Sequence, residues 1–261
     1  MSLVAVVGDC ASTIAVGLAA TWPSGERTFV LEFDPTGGSV SAWLDVPRQP
    51  GLSHLAASAA AHTWSAIEET IQHSRAGVDV LAAPTRAVEA SAAIAAAAPT
   101  VLPVLSAIDE TIAIADGGRL HGVASALIAQ AGMVVLVHRQ HHGSAAAAAV
   151  GFERVADACD SLTRRSVPYV LALLGDRPYR ADEVAEFVGA AMVVDVAIDP
   201  WAAAVFSGRA GSPSRLKRSP LWKSLCELSG TVSAGLRAAR EELSGSADVK
   251  SGDRSMAVSN G

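Results

Sequence analysis

Seven short apolar runs, separated by segments of helical length, constrain this chain more than any single motif does. They lie at 3–8, 28–33, 78–82, 111–115, 133–138, 168–174 and 192–198. Runs such as Met133-Val134-Val135-Leu136-Val137 are apolar at every position, which suits a parallel strand buried on both faces. Helical candidates fill 12–22, 62–74, 85–98, 119–131, 143–164 and 181–188, and a last helix runs from about 219 to about 243. This alternation predicts right-handed βαβ crossovers. The expected fold is α/β: a doubly wound, mostly parallel sheet of about seven strands with helices on both faces. Half of the 261 residues are hydrophobic, enough to fill the core of one large α/β domain. The expected domain is 1–243. Residues 244–261 are mostly Ser, Gly, Asp and Lys with few large apolar groups, so they are expected to form an unstructured tail.

A net charge of −6 gives the whole chain no electrostatic drive toward nucleic acid. Cys10, Cys159 and Cys226 are odd in number and scattered, which argues against a disulfide framework and for a reducing cytoplasm. Residues 1–8 lack the basic start of a signal peptide, and no run of about 20 residues reads as a membrane span.

The first two runs carry the richest chemistry. Residues 3–22 read LVAVVGDCASTIAVGLAATW and residues 28–38 read TFVLEFDPTGG. An apolar strand, a glycine turn, an apolar helix and an acidic second strand end form the layout of a nucleotide-binding βαβ unit. A P-loop, G-x-x-x-x-G-K-[ST], surrounds phosphates with backbone N–H groups and neutralises them with lysine. Here the turn is Gly8-Asp9-Cys10-Ala11-Ser12, and no lysine lies between Met1 and Trp22. Two readings stand. In one, Ser12-Thr13 simply caps the turn; in the other, an anion binds the free N–H groups of the helix start. Asp9 places a negative charge beside any such anion. Cys10 reads either as a small packed residue or as a thiol activated by the helix N-terminus.

Other strand ends add candidates. Glu32 and Asp34, at i and i+2, point to one side of an extended strand and could hold Mg²⁺ or orient water; equally, Asp34-Pro35 starts a turn. Asp116, before Gly117-Gly118, ends an apolar strand where a Walker B carboxylate would stand. His138, His141 and His142 follow another strand and read as a polar loop rather than a metal site. Arg209, Arg215, Lys217, Arg218 and Lys223 occur with no acid between them, in a stretch that Ser212-Pro213-Ser214 marks as a loop. They read as a solvated face or as a surface for anionic lipid, DNA or an acidic partner, with Leu221 and Trp222 packing inward.

In this order the motifs resemble the ParA/MinD family of deviant-Walker P-loop ATPases, over residues 3–229. Val6–Ala19 is similar to that family's first strand, loop and helix, with Ser12-Thr13 at its Thr-Thr pair. Leu31–Leu55 matches its D-x-D-P-x-G-G segment and the G-L-x-x-L that follows. Thr111–Leu120 looks like its Walker B strand, Gly132–Ala149 like the next strand and helix, and Pro168–Gly189 and Val193–Pro200 like its last two strands. The resemblance implies a P-loop NTPase-like fold. It implies a nucleotide site at Gly8, Asp9, Cys10, Ala11, Ser12, Thr13 and Asp116. Mg²⁺ would sit on Ser12, Asp34 and Asp116, with Asp34 also ordering water. The departures are specific. Val6 and Ala11 stand where the loop K-G-G-x-G-K-T has lysines, Cys10 replaces its last glycine, and Gly175 stands where an adenine-contacting Asn is usual. The lost lysines remove charge-assisted contacts worth several kcal/mol.

The implied protein is a cytoplasmic homodimer at or near the inner membrane face, similar to actinobacterial members associated with Tad-type pilus or secretion ATPases. It is a pseudo-ATPase needing no cofactor, and it positions or assembles a pilus, secretion or division machine. One alternative is a working ATPase using ATP and Mg²⁺, with Arg139 or Arg177 replacing the lysines. Another is a partition protein holding DNA non-specifically through Arg209–Lys223.

Overall fold

The computed structural model describes residues 2–23, 25–58, 62–109, 111–119, 124–140, 144–209 and 213–256, with side chains as far as Glu241. β1 (Leu3–Gly8) passes through a two-residue turn into α1 (Ala11–Thr21), and β2 (Arg27–Glu32) follows. Short helices α2 (Val40–Trp43), α3 (Leu52–Ala57) and α4 (Trp64–Glu68) lead to β3 (Asp79–Leu81). Next come α5 (Ala87–Ala107), β4 (Thr111–Asp116), α6 (Ala124–Gln130), β5 (Met133–Arg139) and α7 (Ala145–Arg164). β6 (Tyr169–Leu174), α8 (Ala181–Val188) and β7 (Val193–Val196) are followed by α9 (Pro200–Phe206), α10 (Pro213–Leu216) and α11 (Pro220–Met256).

The strands form one seven-stranded sheet in the order β3-β2-β4-β1-β5-β6-β7. Every neighbouring pair is parallel. Alternation along each strand separates two cores, because successive side chains leave opposite faces. Leu3, Ala5 and Val7 join Phe29 and Leu31 in a layer under α5, α7 and α8. Val4 and Val6 join Ile112, Ile114 and Val135 in a layer under α1, α9 and α11. All of these strand residues are fully buried, which explains why the runs are apolar without interruption.

α1 is fastened to α11 from the far end of the chain. The Thr21 hydroxyl donates to the Ser229 hydroxyl at 3.3 Å, and Ser229 donates to the Thr21 carbonyl at 2.8 Å. Arg240 reaches back to Glu26 at 3.0 Å and to the Ser2 hydroxyl at 2.9 Å.

Helix ends depart from the sequence pattern more than strands do. α5 continues past Pro99 and Pro103 to Ala107, nine residues beyond the predicted end at 98. Its Val101, Leu102 and Leu105 are buried, and that packing offsets the backbone hydrogen bonds the prolines remove. By length and a mean hydropathy of 1.6, α5 meets the measure of a membrane span, yet its Ile94 is also buried in the core. The helix expected over 62–74 is only Trp64–Glu68, because Gln72 leaves it to bridge β3 at Val80. The loop expected around Pro213 contains α10. The backbone of α11 runs to Met256, beyond the end expected near 243, with no proline to stop it.

Candidate functional site

The carboxyl ends of β4, β1 and β5 lie side by side at the centre of the sheet, where ligands bind in open α/β folds. They surround a cavity of about 330 Å³. Gly8 to Ser12 line it from the β1–α1 turn, with Asp34, Gly118, Arg119 and Arg139 from the neighbouring strand ends. The predicted turn, Asp34 and Arg139 therefore share one site. Gly8 has φ +118°, and a Cβ there would lie 2.0 Å from the Val137 carbonyl oxygen. β1 can pair this closely with β5 only because position 8 is glycine.

The turn is held by backbone hydrogen bonds to its neighbours. β1 holds its pairing with β5 through Gly8, which leaves Val6, one of the two lysine positions of the resemblance, fully buried in the sheet. Ala11, the other, is buried at the start of α1. The Gly8 amide donates to the Gly118 carbonyl at 2.9 Å, and the Asp9 amide donates to the Val137 carbonyl at 3.0 Å. Two N–H groups of the turn are thus bonded within the protein. The Asp9 carboxylate accepts from the Arg139 backbone N–H at 3.0 Å. The first lysine in the whole chain is Lys217.

The helix starts one residue earlier than the predicted Ser12-Thr13 cap. Cys10 is its N-cap, in the left-handed region at φ 57°, with no side-chain cap bond. Cys10 is exposed rather than packed. Partial burial pushes its thiol pKa up, Arg139 and Arg119 pull it down, and Asp9 raises it.

The acidic residues divide into two roles. Glu32 and Asp34 do not converge. Glu32 is 1% exposed, and its carboxylate accepts from the N–H groups of Val40, Ser41 and Ala83. Burial pushes its pKa up against those bonds. It fastens the β2–α2 connection to the end of β3 and is a structural group. Asp34 Oδ1 accepts from the Thr36 amide and hydroxyl, each at 2.8 Å. Its carboxyl group stands over Gly118, where a Cβ would come within 2.3 Å. Asp116 is buried, accepts from the Gly118 amide at 3.1 Å and is hydrogen-bonded by the Ser12 side chain. Ser12, Asp34 and Asp116 are thus brought together around Gly118. Among the described residues, no three His, Cys, Asp or Glu side chains gather as a metal-ligand set.

Asp116 supplies a pH test. Burial raises its carboxyl to about 6, against the Ser12 and Gly118 hydrogen bonds and with Asp34 and Glu32 adding repulsion. The folded protein therefore holds this proton more tightly than the unfolded chain. The resulting stability is complete below about pH 4 and is lost as pH rises through about 6. Asp116→Asn keeps an acceptor for the Gly118 amide but cannot titrate. Relative to wild type, its stability should rise by about 2–3 kcal/mol between pH 4 and pH 7. Urea unfolding at the two pH values checks this, and a constant difference between the variants would refute it.

Other candidates lie apart. Thr13 lines an adjoining apolar cleft of about 300 Å³ with Ile14, Leu174, Ile198 and Leu221. Arg177 lies in a different cleft, beside Asp176, Arg180 and Asp195, so it cannot replace a loop lysine. Gly175 has φ +90°, and its carbonyl accepts from Gln140 Nε2 at 2.7 Å. His138 is buried, with Nδ1 3.6 Å from Asp9 Oδ2 and its ring edge-on to Phe152 at 5.1 Å. His141 and His142 lie outside the described residues. Arg209, Arg215, Lys217, Arg218 and Lys223 are all exposed, with Arg215 4.9 Å from the centre of the Trp201 ring. Leu221 is buried, and Trp222 stacks on Phe206 at 6.2 Å. Arg119 was not anticipated. Its only signal is a position just past Asp116-Gly117-Gly118, where a strand end meets the site.

This sheet order, with its cavity at the ends of β1, β4 and β5, is a P-loop NTPase-like α/β fold. Within that class the fold is that of the MinD and ParA ATPases. No family model matches the sequence, and no curated protein matches it. Among solved structures, the chain is similar to the septum site-determining protein MinD of Pyrococcus horikoshii complexed with Mg-ADP, at a TM-score of 0.70 and 14% identity, covering 88% of this chain and 95% of that one. It is similar to a ParA family ATPase from Chlorobium tepidum at 0.65 and 13%, covering 87% and 97%. The MinC:MinD cell division complex of Aquifex aeolicus gives 0.65 and 10%, covering 90% and 96%. At these identities the likeness is one of fold.

Proposed function

We propose that this chain is a non-hydrolysing or weakly active ParA/MinD-like protein that positions or assembles a cellular machine through contacts with itself and with partner proteins. The observation that carries this reading is the closed β1–α1 turn. Its Gly8 and Asp9 amides are bonded to Gly118 and Val137, its lysine positions hold buried Val6 and Ala11, and a carboxylate stands in the cavity. A turn of that kind lacks the charge and the donors that make phosphoryl transfer fast. What remains of such a protein is a scaffold. A homodimer, and a protein partner such as a pilus, secretion or division component, are the contacts we expect; the A. aeolicus MinD in the comparison is solved with MinC. On this reading it works in the cytoplasm, near the inner face of the membrane.

The test is calorimetry with ATP and Mg²⁺, paired with a phosphate-release assay. The expected result is an affinity weaker than about 100 μM and no steady turnover. Low-micromolar binding with sustained hydrolysis would overturn the reading. It would favour the working ATPase, for which Arg139 and Arg119 on the cavity rim are the supporting observation.

The basic surface carries its own test. Five exposed cations between Arg209 and Lys223 fit an anionic partner, and such attraction weakens with salt. Neutralising Arg215, Lys217 and Arg218 together should abolish low-salt retention on DNA, on anionic vesicles or on a protein partner. If all three retentions persist in the folded variant, the cluster is a solvated face.

A further inference from the structure

We propose that Asp9 is a built-in latch: an internal anion that holds the β1–α1 turn shut against phosphate-bearing ligands. The proposal rests on the non-hydrolysing reading above and gives it a cause. An ordinary β-to-α turn needs no acid at this position, and an anion site is weakened by one. Here the carboxylate has a defined seat. Its Oδ2 accepts from the Arg139 backbone N–H at 3.0 Å, across the cavity mouth and on the next strand of the sheet. The same oxygen lies 3.6 Å from His138 Nδ1. That imidazole is buried and packed edge-on against Phe152 of α7, so one neighbour of the half-exposed carboxylate is fixed in the core.

The backbone of the same residue is tied to the same strand, through the Asp9 amide and the Val137 carbonyl. Asp9 therefore grips β5 twice, at Val137 by its amide and at Arg139 by its side chain. With the turn pinned, the Gly8 amide stays on Gly118. Charge acts in the same direction. Four charged side chains line the cavity: Arg119 and Arg139 against Asp9 and Asp34. They cancel. Without Asp9, two guanidinium groups face one carboxylate that is already bonded to Thr36. The cavity then favours an incoming anion, and a phosphate or pyrophosphate group suits guanidinium recognition.

Two substitutions separate the grip from the charge. Asp9→Ala removes both. Asp9→Asn removes the charge and keeps an oxygen for the Arg139 amide. Hydrogen exchange of the Arg139 amide is followed by NMR without ligand, and binding of inorganic pyrophosphate is measured by calorimetry. Asp9→Ala should speed Arg139 exchange at least tenfold, and Asp9→Asn should leave it within about threefold of wild type. Asp9→Ala, which loses both grip and charge, should bind pyrophosphate about tenfold or more tightly than wild type, and Asp9→Asn, which keeps the grip, by a smaller factor of about three. Unchanged Arg139 exchange in Asp9→Ala overturns the latch. So does a pyrophosphate affinity within twofold of wild type in both variants. Tight ATP binding and turnover by the wild-type protein would refute the non-hydrolysing reading alone, because the exchange measurement uses no ligand and still tests the grip.

Discussion

Gly8→Ala lowers stability by about 4 kcal/mol, the largest effect expected of any single methyl group in this chain. Two costs combine. At φ +118° an L-residue is strained by about 1–3 kcal/mol. The added Cβ would sit 2.0 Å from the Val137 carbonyl oxygen, and relieving that overlap adds about 1–3 kcal/mol. The neighbour cannot swing aside, because it is backbone at the centre of the sheet and already accepts the Asp9 amide. Urea unfolding reads the loss as a lower midpoint with an unchanged slope. A loss below about 1 kcal/mol would mean that β1 and β5 separate there at little cost, and the closed turn would not be a fixed feature of the molecule.

Glu32→Ala costs about 3–5 kcal/mol, from a different source. The side chain gathers three backbone donors, Val40, Ser41 and Ala83, in a place where water does not reach. Leaving a buried donor unmatched costs about 1–3 kcal/mol, and the three losses share one cavity, so they do not add in full. Glu32→Gln keeps one acceptor oxygen and should lose less than half as much. The expected order in denaturant is wild type, Gln, Ala. An alanine variant as stable as wild type would show that the donors find other partners.

Strands were the most legible part of this sequence, because burial on both faces leaves a mostly apolar run, and β1, the interior of β4 and Met133–Val137 of β5 are such runs. Helix limits were less legible. Pro99 and Pro103 carry a strong local stop signal, but contacts of Val101 and Leu105 with distant strands override it, and no local pattern records those contacts. In the site, the Gly8–Ser12 turn, Asp34, Asp116 and Arg139 could be placed because each ends a predicted strand or starts a helix. The separate fates of Glu32 and Asp34 could not. Two carboxylates at i and i+2 leave a strand on the same side, but Asp34 lies beyond the end of β2, where the chain has already begun to turn. Arg119 was obscure for a related reason: its reach into the cavity depends on which strands are neighbours, and that is a property of the sheet order.

The clasp between the first and last helices bears on how the chain is made. Thr21 and Ser229 are 208 residues apart, and Ser2 and Arg240 are 238 apart. At about 5–20 residues per second, a ribosome needs roughly 10–40 s to add the chain between them. Throughout that interval α1, with Ile14, Val16 and Leu18 destined for the core, has no α11 to lie against. β1 likewise waits for β4 and β5, both made about a hundred residues later. The nascent chain therefore carries this apolar helix without its α11 partner for most of its synthesis.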